Sequence, residues 1–395
     1  MRNFKVQSFV LILLAFVLGF SEFIIVGILD DLARQFTEPI SIVGYLVTIF
    51  ALVYAISTPI ITILLSQGNL YKILLLLMSL FTVGNLLTAL APNYAILTIS
   101  RVIVAMVSGA AISIAMTFAT NIAPIIRRSW LISWIFSGFS IASVFGVPLG
   151  TWISTTFGWR FTFYTITIFS LVAIWLIVKS LPHELRQTHE SNIANQLIIF
   201  KDFRILLSVV VLIFSLAGVY VFYTYLRPIL SPSLHYPPAL VTVMLTLYGI
   251  MSLFSNQYSG KIANKRGLKT MPTVYVVELL ALGTMPLWLH ITWLGTIDVL
   301  LVGVMMYLIN SPIQMHLIGV AEKNYPQAMV LVSSLNSIFS NFGIALGSAT
   351  GGFVVNHFGV NNVGSGGAVY TLITLIAIVS LNRSNKLNKN VSTRK

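Results

Sequence analysis

Apolar stretches long enough to cross a lipid bilayer follow one another along the chain, and this feature limits the fold more than any other. A transmembrane helix needs about 20 consecutive apolar residues. The stretches are continuous rather than alternating, which excludes a transmembrane β-barrel. The sequence therefore predicts an all-α polytopic membrane protein with twelve transmembrane spans, at residues 9–29, 41–65, 70–91, 95–119, 129–153, 161–181, 204–226, 239–261, 269–289, 293–318, 328–356 and 365–382.

Charged residues are scarce, as expected for such a protein. Lys, Arg, Asp and Glu make up 8% of the 395 residues, whereas soluble domains contain about 25%. Twelve spans use roughly 240 residues, so only short loops and tails remain. A large soluble domain on either side of the membrane is therefore excluded.

The basic residues predict the orientation of the chain. The net charge of +13 would suggest nucleic-acid binding in a soluble protein. Here, however, the basic residues are distributed according to the side of the membrane on which each loop lies. With a cytoplasmic N-terminus, 19 of the 23 Lys and Arg residues fall on one face of the membrane, three on the other and Arg101 within a span. The positive-inside rule then places both termini, including the basic tail 383–395, in the cytoplasm. We expect a plasma or inner membrane protein with an uncleaved first helix and no nucleic-acid partner.

Several kinds of site are missing from the sequence. The chain has no cysteine, which excludes disulfides, thiol catalysis and cysteine-ligated metals. Its six histidines are scattered, with no pair at metal-ligand spacing on one helix face. No Walker glycine loop is present for nucleotide binding. We therefore expect no cofactor and no enzymatic activity.

Two segments resemble each other at an offset of 197 residues. Eight of fourteen residues are identical between SGFSIASVFGVPLG at 137–150 and SLNSIFSNFGIALG at 334–347. The match pairs the fifth span with the eleventh, which predicts two six-helix bundles related by a pseudo-twofold axis along the membrane normal. The bundles are residues 1–181 and 204–382, joined by a cytoplasmic linker at 182–203.

Short motifs lie in the fifth and eleventh spans and in the loops. The fifth span contains GVPLG at 146–150 and is followed by FGWRFTF at 157–163, and the eleventh contains NSIFSNFGIALG at 336–347. The loop after the eighth span reads GKIANKRGLK at 260–269. Together these segments resemble the major facilitator superfamily, and within it the bacterial drug:proton antiporters and sugar-efflux-type permeases. The resemblance implies export but does not specify a substrate.

Some positions depart from the family pattern and others match it. Asn264 stands where the family usually has Asp, and the first-half counterpart, SQGNLYK at 66–72, lacks both the Asp and the Arg pair. Glu22 in the first span and Arg101 in the fourth match charged positions of the family.

Glycine and proline in these motifs have a physical interpretation. Helices in lipid approach one another closely where side chains are small, so the fifth and eleventh spans are expected to pack tightly. The alternative is a rigid packing seam without a role in transport. The residues assigned to these motifs are Gly146, Pro148, Gly150, Gly343, Gly347, Gly260 and Asn264.

Four charged residues lie away from the ends of the predicted spans, in the membrane interior, where each costs roughly 3 kcal/mol or more. At 1.5 Å per residue, Glu22, Arg101 and Asp298 lie about 8–10 Å from the outer ends of their spans. Arg101 and Asp298 are also related by the repeat offset of 197. Glu278 lies in the middle of the ninth span, without an evident partner.

In the family that the sequence resembles, spans 1, 4, 7 and 10 line a central cavity. We therefore expect Glu22, Arg101 and Asp298 to bind the coupling proton or the substrate. Arg101 favours the ionised form of Glu22 and burial favours the protonated form, so a proton gradient can act on this carboxyl group. The alternatives are a structural Glu22–Arg101 pair and an Asp298 that is merely solvated.

Aromatic and amide side chains near the same spans could line an amphipathic pocket. Aromatic rings stack on flat or cationic molecules, although they also form anchoring belts at the membrane interface. The candidates are Tyr220, Tyr223, Tyr307, Asn310, Asn336 and Asn341.

These observations predict a proton-coupled secondary transporter that exports a small, drug-like or amphipathic molecule by alternating access. The expected partners are this molecule, protons and lipid, and the expected state is a monomer. Export of a sugar, a nucleoside or a metal-chelating metabolite is the alternative. A channel is less favoured because the sequence has no filter motif or charged ring, and an integral-membrane enzyme lacks a catalytic cluster.

Overall fold

A computed structural model describes residues 2–65, 68–124, 127–185 and 197–392, and in these ranges the structure is all-helical. Twelve helices are long and apolar enough to span a membrane, which confirms the predicted fold class. Ten are α1 (Arg2–Phe36), α2 (Ile40–Leu65), α3 (Leu70–Leu90), α4 (Tyr94–Ile122), α6 (Trp159–Ser180), α7 (Phe203–Tyr223), α8 (Pro238–Lys265), α9 (Met271–Trp288), α11 (Met329–Phe358) and α12 (Val363–Ser392). The two others, α5 and α10, are interrupted.

The fifth helix changes its winding in the middle. It consists of Arg128–Ile141, a π-helical turn at Ala142–Gly146 and Val147–Phe157, together named α5. Pro148 is the second residue after the turn and is buried. Because proline has no backbone N–H, a regular α-helix would leave a carbonyl group one turn earlier without its partner. The wider π turn is a local adjustment of the kind found at such positions.

The tenth span is broken, although the sequence predicts a continuous helix over 293–318. The two parts of α10 are Thr292–Met305 and Asn310–Asn324. Backbone N–H groups that the break frees are satisfied by α8: Tyr307 donates to the Ser255 hydroxyl at 2.9 Å and Ser311 donates to the Ser259 hydroxyl at 2.9 Å. Non-helical backbone at membrane depth requires such partners, and these two serines supply them.

The chain divides into two compact units. The first comprises Met1–His189 with Pro237–Thr246, and the second Glu190–Tyr236 with Leu247–Lys395. The boundary between residues 189 and 190 lies within the predicted linker at 182–203. Residues 186–196 of that linker, and 393–395 of the predicted tail, lie outside the described residues.

In the first unit, α5 packs closely on α1 through its glycines. A Cβ atom on Gly146 would lie 2.8 Å from the ring of Phe20, and one on Gly150 would overlap Ile24. Thr151, the residue after Gly150, donates a hydrogen bond to the Gly27 carbonyl at 3.0 Å. Small residues and a hydroxyl group therefore join the fifth helix to the first.

In the second unit, α11 packs on α7 in the same way. A Cβ atom on Gly343 would overlap the Ile213 carbonyl, and one on Gly347 would overlap the Ala217 carbonyl. The hydroxyl groups of Ser348 and Thr224 are hydrogen-bonded at 2.8 Å. Gly343, Gly347 and Ser348 follow Gly146, Gly150 and Thr151 by 197 residues, so each unit contains a closely packed helix pair at the position of the sequence repeat.

Candidate functional site

Arg101 is enclosed within the first unit. It lies on α4 and is 0% exposed. Its guanidinium donates to the Ser21 hydroxyl at 3.0 Å and to the Ser21 backbone carbonyl at 2.8 Å. The ring of Phe50 faces the same cation, with 4.5 Å between the guanidinium carbon and the ring centroid. Hydrogen bonds and a cation–π contact thus hold a charge that lipid alone would exclude.

The polar network continues from Arg101 into a third helix. Ser21 on α1 donates to the Asn85 side chain on α3 at 2.6 Å, and Asn85 donates to the Phe81 carbonyl at 2.9 Å. These contacts join α1, α3 and α4 around one cation. Sequence reasoning identified Arg101 but missed Ser21 and Asn85, because uncharged polar residues are common in membrane helices.

A second hydroxyl pair joins α3 and α4 beside this network. The Thr88 and Ser100 hydroxyl groups lie 2.8 Å apart and both residues are buried. Ser100 directly precedes Arg101 and Thr88 lies about one turn beyond Asn85 along α3. A hydrogen bond therefore joins α3 directly to α4 next to Arg101.

Glu22 is the residue after Ser21 and is partly buried. It interacts electrostatically with Arg101. Within the described residues, however, these side chains form no ion pair within 4 Å and share no hydrogen bond, since the guanidinium N–H groups that donate point to Ser21. The predicted interaction therefore acts through space, without direct contact. The Arg101 Nε atom is buried and has no hydrogen-bond partner in the described structure.

The two other charged candidates lie in the second unit. Asp298 on α10 is 7% exposed, and its Oδ2 atom has no hydrogen-bond partner among the described residues. A solvated position is therefore the wrong interpretation of this residue. The expectation that Asp298, Glu22 and Arg101 face one cleft stays a prediction.

Glu278 on α9 is 1% exposed. It accepts a hydrogen bond from the Thr371 hydroxyl on α12 at 3.1 Å. The sequence suggested no partner for it, because Thr371 lies 93 residues further along the chain and only the packing of α9 on α12 brings them together.

Tyrosines of the second unit form a cluster. The rings of Tyr220 and Tyr223 are 5.2 Å apart and those of Tyr223 and Tyr248 are stacked at 5.4 Å. Tyr248 and Tyr223 both interact electrostatically with Tyr307 at the break in α10. Tyr220, Tyr223 and Tyr248 are almost completely buried, so they present little surface to a ligand. Tyr307 is partly exposed.

The three asparagines differ in their surroundings. Asn310 begins the second part of α10 and is partly exposed. Asn336 is also partly exposed and accepts from the Ser340 hydroxyl at 3.1 Å. Asn341 is buried, and its Oδ1 atom has no hydrogen-bond partner among the described residues.

The motif after the eighth span lies at a helix end. A Cβ atom on Gly260 would have no neighbour within 4 Å, so this glycine makes no close helix contact. Asn264 is exposed near the end of α8.

An ion pair marks the start of α7. Asp202 accepts from the Arg204 backbone N–H at 2.9 Å and from its guanidinium at 3.0 and 2.6 Å. Burial by itself would raise the pKa of Asp202, but the hydrogen bonds from Arg204 outweigh it and hold the pKa below its ordinary value of 3.8. The carboxylate therefore caps the helix as an anion.

Within the described ranges, no three His, Asp or Glu side chains cluster closely enough to hold a metal ion.

Comparison with known proteins identifies the family. The sequence profile of the Major Facilitator Superfamily matches residues 11–338. The chain belongs to this superfamily. YtbD of Bacillus subtilis (strain 168), an uncharacterised transporter of the superfamily, is 32% identical over 346 residues, which cover 88% of this chain and 87% of YtbD. The inner membrane transport protein YdhP of Escherichia coli (strain K12) is 28% identical over 342 residues, 87% of each chain.

Solved structures share the Major Facilitator fold with this chain. A bacterial homologue of the human lysosomal transporter Spinster, inward-facing and occupied, superimposes with a TM-score of 0.77 at 14% identity, over 95% of this chain and 96% of the other. A D-xylose–proton symporter gives 0.74 at 15% identity, over 95% and 97%. The nucleoside transporter NupG gives 0.76 at 14% identity, over 96% and 99%. The chain is therefore a multi-pass membrane transporter.

Proposed function

We propose that this transporter exports a small, amphipathic organic molecule in exchange for protons. The observation that carries the proposal is the Arg101 guanidinium, which is enclosed by α1, α3 and α4 and held by Ser21. It acts on the neighbouring Glu22 carboxyl through space. In this arrangement Glu22 is the group that binds the coupling proton.

The absence of direct contact between Glu22 and Arg101 matters for the mechanism. A close ion pair would hold Glu22 in its ionised form, and breaking a buried pair costs several kcal/mol. Here the guanidinium favours the carboxylate through space while burial favours the neutral acid. Because the two effects oppose each other, a proton or a bound cation can change the state of Glu22 during transport.

Alternating access follows from the two-bundle fold. We assign the moving bodies to residues 1–181 and 204–382, joined by the linker 182–203. Both termini lie in the cytoplasm and the protein resides in the inner membrane, in line with the basic loops and with the description of its relative YdhP. Protonation of Glu22 from the outer side releases the substrate, and loss of the proton to the cytoplasm restores the loading state.

The export branch and the substrate class rest on the sequence motifs. GVPLG at 146–150 and its counterpart at 343–347 support the drug:proton antiporter branch. A sugar or nucleoside is the second candidate, since structural neighbours are described as a D-xylose–proton symporter and a nucleoside transporter. The two candidates differ in charge and polarity, so one transport assay separates them.

Transport by purified protein in proteoliposomes with an acidic lumen tests the proposal. Transporter molecules whose outer, non-cytoplasmic face lines the lumen release luminal protons to the outside and carry external substrate into the lumen. Ethidium, D-xylose and uridine represent the amphipathic cation, the sugar and the nucleoside. We expect wild-type protein to accumulate ethidium only while the pH gradient lasts.

Glu22→Gln imitates the neutral acid permanently. It is expected to abolish gradient-driven accumulation while it leaves folding and membrane insertion intact, and Glu22→Asp should retain part of the activity. Glu184→Gln, an exposed carboxyl group outside the spans, is the control and should behave as wild type. Uphill export by Glu22→Gln at the wild-type rate would show that another carboxyl group couples transport.

A further inference from the structure

Glu278 lies near the middle of α9. It is seven residues from the start of α9 and ten from its end, or about 10–15 Å from either end at 1.5 Å per residue. It belongs to the buried face of the helix, between Tyr275 and Leu282. Lipid headgroups and water at the membrane surface are therefore out of reach of its carboxyl group.

Three helices enclose this carboxyl group. Thr371 on α12, itself 0% exposed, donates to Glu278 Oε1 at 3.1 Å. On α7, a Cβ atom at Gly218 would lie 2.7 Å from the Thr371 hydroxyl, so the glycine lets the backbone approach the pair. One turn before Glu278, the Tyr275 side chain is hydrogen-bonded to Ser215 of α7.

Charge compensation for Glu278 is lacking. Among the described residues, no Lys, Arg or His contacts its carboxyl group, and its polar neighbours are Thr371, Tyr275 and Tyr248. One hydroxyl donor does not offset the cost of an ionised carboxylate in a dry interior. The neutral acid, which carries a proton, is therefore the favoured form.

We propose that Glu278 is a second proton-binding site of the transporter, separate from Glu22. On release, the O–H bond of the acid breaks, the proton passes to a water molecule, and the carboxylate keeps the hydrogen bond from Thr371. On uptake, the reverse sequence restores the neutral acid. The role in transport rests on the proposed proton-coupled function, whereas the proton-binding step does not.

Infrared difference spectroscopy of the full-length protein in lipid bilayers tests this step without any substrate. Buffer is alternated between acidic and alkaline pH, and between light and heavy water. We expect a carbonyl band of a protonated carboxyl group that disappears at alkaline pH and shifts on deuteration. The band should be missing in Glu278→Gln and present in Glu22→Gln and in the control Glu322→Gln, an exposed carboxyl group of the same unit.

One further variant keeps Glu278 in place. Thr371→Val removes the hydrogen-bond donor and should shift the frequency of the band. This variant also serves if Glu278→Gln fails to fold.

Two results would overturn the inference. One is a spectrum of Glu278→Gln that matches that of wild type, which would mean that Glu278 never holds the titrating proton. The other is a Glu278 band that neither titrates nor exchanges, which would make the residue a permanent structural acid. Neither result contradicts the proposed function. That function fails only if Glu22→Gln transports as wild type does in the vesicle assay.

Discussion

Removal of the Ser21 hydroxyl group tests how the first unit holds its buried cation. Ser21→Ala deletes an acceptor of Arg101 at 3.0 Å and the donor to Asn85 at 2.6 Å. The second Arg101 bond, to the Ser21 backbone carbonyl, remains. The variant therefore leaves one guanidinium N–H without its partner in a site that water does not reach.

The expected cost follows from these two bonds. A hydrogen bond to a charged group contributes about 1.5–3 kcal/mol, and a neutral bond between membrane helices contributes about 0.6 kcal/mol. Their loss should lower the free energy of unfolding by about 2–4 kcal/mol. Because 1.4 kcal/mol is a factor of about ten, the unfolding equilibrium should shift by about two orders of magnitude.

Ser8→Ala is the matched control. Ser8 lies on the same helix and is also buried, but its hydroxyl group donates only to the Phe4 carbonyl one turn earlier, at 2.8 Å. We expect this variant to change the free energy of unfolding by less than about 1 kcal/mol.

Unfolding in mixed micelles with increasing SDS, followed by circular dichroism or tryptophan fluorescence, compares the two variants with wild type. If Ser21→Ala is as stable as Ser8→Ala, Arg101 has found another acceptor or is solvated, and the network does not hold the cation. An Asn85→Ala variant, which leaves Arg101 its bonds to Ser21, should lie between the two.

Further predictions concern helix packing and the cap of α7. Gly347→Ala should destabilise the protein by about 1–3 kcal/mol, because its Cβ atom would overlap the Ala217 carbonyl. Gly260→Ala should stabilise the protein by up to about 1 kcal/mol, because the space around its Cβ atom is open. Equal effects of the two variants in the same unfolding assay would contradict the packing of α11 on α7. Asp202→Ala should cost about 1–2 kcal/mol, while Asp202→Asn keeps the cap but loses the charge of the pair with Arg204. The native pKa of Asp202 is depressed, so the contribution of this carboxylate to stability is complete above pH 3.8 and is lost as the pH falls through the native pKa. The free energy of unfolding of wild type should therefore fall in acid relative to that of Asp202→Asn. A wild-type curve without this fall would refute the assignment.

Hydrophobicity along the chain was enough to predict the twelve helices. Each span must satisfy its own backbone hydrogen bonds in lipid, so a continuous apolar stretch leads to a helix whatever its neighbours are. The glycine repeat likewise predicted that the fifth and the eleventh helix would each pack tightly on another helix, because Gly146 and Gly343 leave room for a neighbouring helix wherever they occur.

The tertiary structure decided the partners of the buried charges. Arg101 was expected beside Glu22, but its hydrogen bonds go to Ser21, and Asn85 on another helix completes the network. Such contacts depend on the rotation of each helix about its axis, which an evenly apolar sequence leaves open because all faces are alike in hydrophobicity.

The break in α10 also required the structure. The residues at 306–309 are as apolar as those around them, so the sequence predicted a continuous helix. Ser255 and Ser259 lie about 50 residues earlier and accept the backbone N–H groups that the break leaves free. Hydrophobicity therefore determined where this chain is helical, whereas packing between helices determined where a helix is interrupted and which polar groups meet in its interior.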